Sequence, residues 1–178
     1  ILCRRFSEEL RKNPLFSNQI DDKFYDMIFH ASPLHDIGKV AIEDKILLKP
    51  GKLTTEEFEK MKQHTIIGAT TLEEVQYRFP NNEFLNMGIR IARWHHEKWD
   101  GTGYPDGLSG VSIPICARIM TIVDVYDAVR SKRVYKDPVP HEEACEIILS
   151  ERGTHFDPAV IDVFIQLQNE LDHIWKNQ

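Results

Sequence analysis

The sequence is poor in cysteine, and its few cysteines form no recognisable pattern. Cys3, Cys116 and Cys145 are the three present among 178 residues, and no two of them are spaced as a CxxC pair. An odd number of isolated cysteines excludes a disulfide scaffold and disfavours a zinc site built from thiolates. We therefore expect free thiols, which are typical of a reducing cytoplasm.

Positive charge and long apolar runs are also lacking. The 28 acidic residues outnumber the 22 lysines and arginines, so the formal net charge is −6, and such a chain has no diffuse basic field to hold duplex DNA. Charged residues interrupt the apolar stretches, as Arg118 interrupts residues 115–123, and none reaches the roughly 20 residues that cross a bilayer. We predict that the chain neither binds DNA nor spans a membrane.

An initiator methionine and a signal peptide are missing from the start of the sequence. The first residues, Ile1-Leu2-Cys3-Arg4-Arg5, already follow a helical pattern that continues to Leu10, and they are too charged for a signal peptide. We therefore expect that an upstream segment has been removed. The length suits one globular domain over residues 1–178, truncated at its first helix.

Strand-like alternation, internal repeats and low-complexity tracts are absent, whereas helical periodicity recurs along the chain. It predicts helices over 65–79, 84–96, 141–150 and 157–175 among others, with His64 at a junction between two helices. Residues 97–113, which include four glycines and a proline, are the one long irregular stretch. The predicted fold class is all-α, a compact helical domain with a glycine-rich loop.

Four of the eight histidines lie at predicted helix ends, beside acids or beside the glycine-rich loop. A lone histidine there is usually a hydrogen-bonded or surface imidazole. Here three features that are costly to bury occur together: an adjacent His-Asp pair, an adjacent His-His pair and an acid in an apolar helix. Their combination predicts a metal cluster, because imidazoles and carboxylates suit iron, manganese, zinc or nickel. The candidate ligands are His35, Asp36, His64, His95, His96 and Asp124.

Three motifs give the chain a resemblance to a known family. HDIGK at His35–Lys39, HHEKWDGTGYP at His95–Pro105 and DVYDA at Asp124–Ala128 resemble the HD-GYP domain, and the segment Lys49–His64 matches as well. HDIGK alone is shared by the wider HD superfamily of metal phosphohydrolases, whereas the second motif is specific to the HD-GYP branch. The resemblance covers nearly the whole chain.

The resemblance implies a phosphodiesterase that hydrolyses the bacterial second messenger cyclic di-GMP to linear pGpG, to GMP or to both, in the bacterial cytoplasm. It implies two or three divalent transition-metal ions, iron or manganese, that activate water for attack on phosphorus. The six candidate ligands would hold them, with Asp36 bridging two ions. Family members carry a further histidine ligand upstream of the position of Ile1, and trinuclear members a glutamate, so the number of ions depends on that segment.

The resemblance also assigns residues to the substrate. Lys39 is expected to contact a non-bridging phosphate oxygen, Arg133 and Lys136 to bind phosphate, and Tyr104 to present its ring to a guanine or a ribose. Asp127 would orient a metal-bound water, hydrogen-bond Lys39 or hold a ligand histidine. The expected catalytic residues are thus Asp36, Lys39 and Asp127.

Two other interpretations of these motifs stay open. Another cyclic dinucleotide would be preferred if the walls of the pocket, which a sequence does not reveal, do not select guanine. A catalytically silent receptor would bind the nucleotide and signal through a partner such as a diguanylate cyclase (GGDEF) protein, although the complete ligand set favours an enzyme. An upstream sensory or receiver domain is the expected regulatory partner.

Overall fold

The protein is helical throughout the part of the chain that the computed structural model describes, residues 1–132 and 138–177. These residues form eight α-helices and two 3-10 helices but no β-strand, which confirms the predicted fold class. The α-helices are α1 Leu2–Leu10, α2 Asp22–Ala31, α3 Asp44–Leu47, α4 Thr55–Arg78, α5 Glu83–Trp94, α6 Ile115–Arg130, α7 His141–Ser150 and α8 Pro158–Lys176; the 3-10 helices are Ser32–Ala41 and Gly110–Ser112. None of the described helices has the length and apolar character that a membrane span requires.

Two predicted helix starts carry the capping groups that the sequence indicates. The Thr54 hydroxyl accepts a hydrogen bond from the Glu57 backbone N–H at 3.2 Å, and the Glu57 carboxylate accepts one from the Thr54 N–H at 2.7 Å. This capping box satisfies two backbone donors at the start of α4. At the start of α8, the Asp157 carboxylate accepts from the Ala159 N–H at 2.8 Å, and Pro158 occupies the first turn.

The predicted helix junction at His64 is wrong, because α4 is continuous from Thr55 to Arg78. No proline interrupts this stretch, and His64 lies in its middle with Nδ1 2.7 Å from the Met61 carbonyl, one turn earlier. The polar histidine is therefore compatible with an unbroken helix. Gly68 lies one turn beyond His64, where the 3-10 helix Ser32–Ala41 crosses α4. Gly38 packs against Gly68 there, so a residue without a side chain suits this point of the helix.

The core positions the acid of α6. Helix α6 lies in the larger hydrophobic cluster, which also includes residues of α1, α2, α5, α7 and α8. A smaller cluster of Ala69, Leu72, Leu85, Ile89 and Ala92 joins α4 to α5, with Leu34 and Ile37 packed against it. Most of α6 is buried, and the partly buried Asp124 side chain faces His35 of the 3-10 helix Ser32–Ala41 at 3.7 Å.

Candidate metal centre

The structure brings the six candidate ligands together from four elements. His35 and Asp36 come from the 3-10 helix Ser32–Ala41, His64 from α4, His95 and His96 from the end of α5, and Asp124 from α6. One ring nitrogen from each of His64, His95 and His96 lies within 4.8 Å of the other two. The Nε2 atoms of His64 and His95 are 3.5 Å apart, and His35 Nε2 lies 3.7 Å from Asp124 Oδ1.

Backbone carbonyls orient three of these imidazoles. The Nδ1 atoms of His35, His64 and His95 lie 2.8, 2.7 and 2.9 Å from the carbonyl oxygens of Ser32, Met61 and Ile91. A carbonyl oxygen only accepts, so each Nδ1 carries the proton and donates it. The Nε2 atoms of His64 and His95, whose pKa values are lowered, therefore turn an unprotonated lone pair towards the cluster, which is how metal-binding histidines are usually held.

Asp36 lies at the centre of the cluster. Its Oδ2 is 3.3 Å from His35 Nε2 and accepts a hydrogen bond from Lys39 Nζ at 2.5 Å. Its Oδ1 lies 3.5 Å from His64 Nε2 and 3.9 Å from His95 Nε2. Among the described residues, this Oδ1 is the buried side-chain oxygen or nitrogen that has no hydrogen-bond donor, and a buried oxygen in that state is costly. A cation fits beside it, because the surrounding lone pairs and the orphan oxygen are all donors to a metal.

The pKa values of the cluster favour the forms that bind cations. Burial, together with the neighbouring imidazoles, lowers the pKa of His95 to about 3 and that of His96 to about 2, and burial also lowers the pKa of His64. Burial raises the pKa of Asp36, but the hydrogen bonds and charges of His35 and Lys39 outweigh it and hold that pKa well below its usual range. These three imidazoles are neutral and the carboxylate is ionised at neutral pH.

His35 differs from the other imidazoles. Burial lowers its pKa, but the hydrogen bond and charge of Asp36 and the charge of Asp124 outweigh the burial and raise it. The two carboxylates thus face one side of His35, where a cation would replace the proton as their counter-charge.

The glycine-rich loop covers His96. The rings of His96 and Tyr104 stack with centroids 4.8 Å apart and planes inclined by 29°, and the Tyr104 backbone N–H donates to the His96 carbonyl at 3.2 Å. Gly103 is needed for this approach, because a Cβ there would lie 2.3 Å from the Lys98 nitrogen. Burial, and then the charges of Asp124 and Asp36, raise the pKa of Tyr104, so this ring keeps its proton.

Glu97, which no sequence pattern singled out, is a buried acid that is 1% exposed. Its carboxylate accepts hydrogen bonds from the backbone N–H groups of Asp106 at 2.7 Å and Leu108 at 3.0 Å. Asp106 in turn accepts from the Arg93 guanidinium at 2.8 and 2.9 Å. The position of Glu97 directly after the paired histidines is the sequence signal that could have identified it. The Glu97 carboxylate therefore joins residues 106 and 108 of the glycine-rich loop to the segment that follows α5.

The remaining predicted site residues have different surroundings. Lys39 pairs with Asp36. Asp127 is exposed and accepts a hydrogen bond from Trp175 Nε1 at 3.0 Å, while also lining, with His35 and Asp124, a cavity of about 340 Å³. Arg133 and Lys136 lie outside the described residues, so their phosphate-binding roles stay predictions.

Comparisons with known proteins agree with the motifs. The HD domain family matches residues 7–160. The chain is 49% identical over 168 residues to a protein named probable cyclic di-GMP phosphodiesterase from Vibrio cholerae, covering 93% of this chain and 38% of that protein. It is 43% identical over 177 residues to a cyclic di-GMP phosphodiesterase from Thermotoga maritima, covering 99% of this chain and 45% of that protein.

A solved structure shares the fold. Bd1817, an HDG"Y"P protein from Bdellovibrio bacteriovorus, superposes with a TM-score of 0.63 at 22% identity, covering 97% of this chain and 51% of that one. The chain spans less than half the length of the two curated relatives described above. With its HDIGK and HHEKWDGTGYP motifs, the chain belongs to the HD domain family, in the HD-GYP branch.

Proposed function

We propose that the chain is the catalytic part of a metal-dependent phosphodiesterase that hydrolyses cyclic di-GMP to linear pGpG or onward to GMP. The observation that carries the proposal is the buried Asp36 Oδ1, which has no hydrogen-bond donor within residues 1–132 and 138–177 and faces the Nε2 atoms of His64 and His95. The names of the two relatives, which are 49% and 43% identical to this chain, support cyclic di-GMP as the substrate.

The donor set favours iron or manganese. His35, Asp36, His64, His95, His96 and Asp124 offer only imidazole nitrogens and carboxylate oxygens, a set that suits these ions. These residues would hold two or three ions. When bound, the ions would act as Lewis acids, lowering the pKa of water and stabilising negative charge on the phosphoryl oxygens.

Lys39 would neutralise charge on the substrate. Its ammonium group lies 2.5 Å from Asp36 Oδ2 and keeps further N–H donors, so a non-bridging phosphate oxygen beside Asp36 would be within its reach. Arg133 and Lys136 would add positive charge for the dianionic ligand. Asp127 would act from the rim of the cavity by orienting water, and Tyr104, which keeps its proton, would contribute its ring to the wall.

Regulation would come from outside these residues. An upstream sensory or receiver domain and diguanylate cyclase (GGDEF) proteins are the proposed partners, and the bacterial cytoplasm is the proposed location. The chain covers 38% and 45% of the lengths of the two relatives, so each relative has room for such added domains.

The proposal is tested by measuring turnover of cyclic di-GMP in protein loaded anaerobically with Fe²⁺ or with Mn²⁺. We expect pGpG or GMP by chromatography, and a loss of at least about 100-fold in kcat/KM in Asp36→Asn, because the substitution removes the carboxylate charge at the centre of the candidate ligands. Asp26→Asn, on the exposed face of α2, is the matched control. Binding of the nucleotide without turnover in the loaded protein would instead indicate the receptor, and faster turnover of cyclic GMP-AMP another substrate.

A further inference from the structure

Two side chains of α4 extend the wall of the candidate site beyond the metal centre. Phe58 and Lys62 are one helical turn apart, and Lys62 precedes His64 by two residues. The Phe58 ring meets the Tyr104 ring edge to face, with centroids 6.1 Å apart. Since Tyr104 stacks on His96, a single ring separates Phe58 from a candidate metal ligand.

Phe58 offers more open apolar surface here than Tyr104 does. It is 44% exposed, although a phenylalanine gains most by burial. Tyr104 is only partly exposed, because it lies against His96 and Phe58 and has the Lys62 ammonium 5.5 Å from its ring centre. A planar ligand that extends outward from the metal centre would therefore meet the Phe58 ring.

The Lys62 ammonium lies over both rings, so a stacked base has the opposite face of Phe58 open to it. Its Nζ is 5.0 Å from the centre of the Phe58 ring and donates one hydrogen bond to Glu59 at 2.7 Å. An ammonium group has three N–H donors, which leaves two for a ligand that stacks on Phe58. Guanine presents the acceptors O6 and N7 on one edge, whereas adenine presents an N6 amino donor in place of O6.

We propose that Phe58 and Lys62 form a purine subsite, in which Phe58 stacks on one base of the cyclic dinucleotide and Lys62 favours guanine by donating to its O6 and N7. The inference rests on the proposed function and deepens it. In a cyclic dinucleotide, a single ribose lies between each phosphate and the nearest base. In the protein, a single ring, that of Tyr104, lies between the candidate ligand His96 and Phe58. A phosphate at the metal centre would therefore place its neighbouring base near Phe58.

The stacking role is tested with Phe58→Ala and Phe58→Trp in the metal-loaded protein, with Phe79→Ala as the control. Phe79 is also an exposed phenylalanine, at the opposite end of α4. Stacking of a base on an aromatic side chain predicts that Phe58→Ala raises KM roughly tenfold for cyclic di-GMP, cyclic GMP-AMP and cyclic di-AMP alike. We expect kcat to change by less than about twofold and Phe58→Trp to restore KM, since both effects act on binding of the base. An unchanged KM in Phe58→Ala, or an equal rise in Phe79→Ala, would overturn the subsite.

The base preference is tested with Lys62→Met, which keeps the apolar stem of the side chain. We expect the preference for cyclic di-GMP over cyclic di-AMP in kcat/KM to fall about fivefold or more, the effect of losing donors to O6 and N7. An equal loss for both substrates would overturn the role of Lys62 in base selection. If the wild-type protein turns over none of the three nucleotides, the proposed function fails and the subsite with it. If the wild type is active and these variants match it, only the subsite fails.

Discussion

The hydroxyl of Thr121 on α6 donates its single proton to the backbone carbonyl of His95 at 2.9 Å, and shares it with the Ala117 carbonyl one turn earlier, also at 2.9 Å. Thr121 is buried, and His95 lies directly after α5. The bond therefore joins the helix that carries Asp124 to the segment that carries two of the candidate imidazoles. It fixes the carbonyl side of His95, while the Ile91 carbonyl fixes the ring.

Thr121→Val tests this connection, because valine keeps the shape of threonine and removes the hydroxyl. We expect a loss of about 1 kcal/mol in the free energy of unfolding. Outer groups that orient metal ligands typically contribute 10- to 100-fold to metal affinity, so the dissociation constant for Mn²⁺ should rise by about tenfold or more. Urea unfolding of the metal-free protein and calorimetric titration with Mn²⁺ measure the two effects.

Thr71→Val provides the matched control. The Thr71 hydroxyl also donates to a backbone carbonyl, that of Ile67 at 2.8 Å, but it lies on the exposed face of α4. Affinity for Mn²⁺ should be unchanged in this variant. A similar loss of affinity in both variants would contradict a specific role for the bond between Thr121 and His95.

Gly38 allows the 3-10 helix to touch α4, and alanine there should separate them. A Cβ at Gly38 would lie 2.0 Å from the His64 carbonyl oxygen and 2.6 Å from the Gly68 nitrogen. Both atoms belong to the backbone, so the clash moves Asp36 away from His64. We expect Gly38→Ala to cost about 3 kcal/mol or more in the free energy of unfolding and to weaken binding of Mn²⁺.

Gly88→Ala distinguishes a backbone clash from any loss of glycine. The Cβ at Gly88 would approach the end of the Leu34 side chain at 2.9 Å, which a flexible side chain relieves by moving. Alanine is also favoured over glycine within a helix by about 1 kcal/mol. The free energy of unfolding should change by less than about 1 kcal/mol, and equal losses in the two variants would contradict the close approach at Gly38.

The helical fold and the meeting of the candidate ligands could be predicted from the sequence for two different reasons. Helical periodicity and caps such as Thr54 with Glu57 are local, so they indicate helices directly. The meeting of His35 with Asp124 is not local, and it was predicted from the cost of burying such groups alone and from the family motifs. The Nδ1 hydrogen bonds that orient the rings followed from neither source.

Features that depend on contacts between distant segments were missed. The 3-10 helix Ser32–Ala41 forms where Gly38 lies against α4, and no periodicity marks such a contact. The junction predicted at His64 is wrong because a polar residue can also lie in the middle of a helix, where a carbonyl one turn earlier satisfies it. Glu97 has no local signal for its partners, since the N–H groups that it binds are 9 and 11 residues away.

A buried ion pair anchors α6 to the start of α8, and its loss should destabilise the whole fold. The Arg118 guanidinium donates to Asp157 at 2.6 Å and to the Ile113 carbonyl at 2.8 Å, and the Arg118 and Asp157 side chains are almost fully buried. Arg118→Met leaves the Asp157 carboxylate without its counter-charge, which typically costs about 3 to 5 kcal/mol. Urea unfolding measures this loss.

The exposed pair of Arg152 and Asp162 is the control for the buried pair. Its N–O distance is the same, 2.6 Å, but both side chains are about half exposed to solvent. Arg152→Met should cost no more than about 1 kcal/mol, because water screens the pair. Comparable costs for Arg118→Met and Arg152→Met would show that burial does not set the strength of the first pair.

Glu97→Gln should loosen the glycine-rich loop without unfolding the protein. The glutamine amide keeps one acceptor oxygen, but its NH₂ group faces a backbone N–H, so one of the two bonds to Asp106 and Leu108 is lost. An unpaired donor of this kind costs about 1 to 3 kcal/mol. We expect faster hydrogen exchange of the amides over residues 104–108 and a higher KM, because Tyr104 is no longer held over His96.

Glu146→Gln, on the exposed face of α7, should match the wild type in both measurements. If exchange over the loop stays at the wild-type rate in Glu97→Gln, the carboxylate does not hold the loop, and the stacking of Tyr104 must depend on its own bond to the His96 carbonyl.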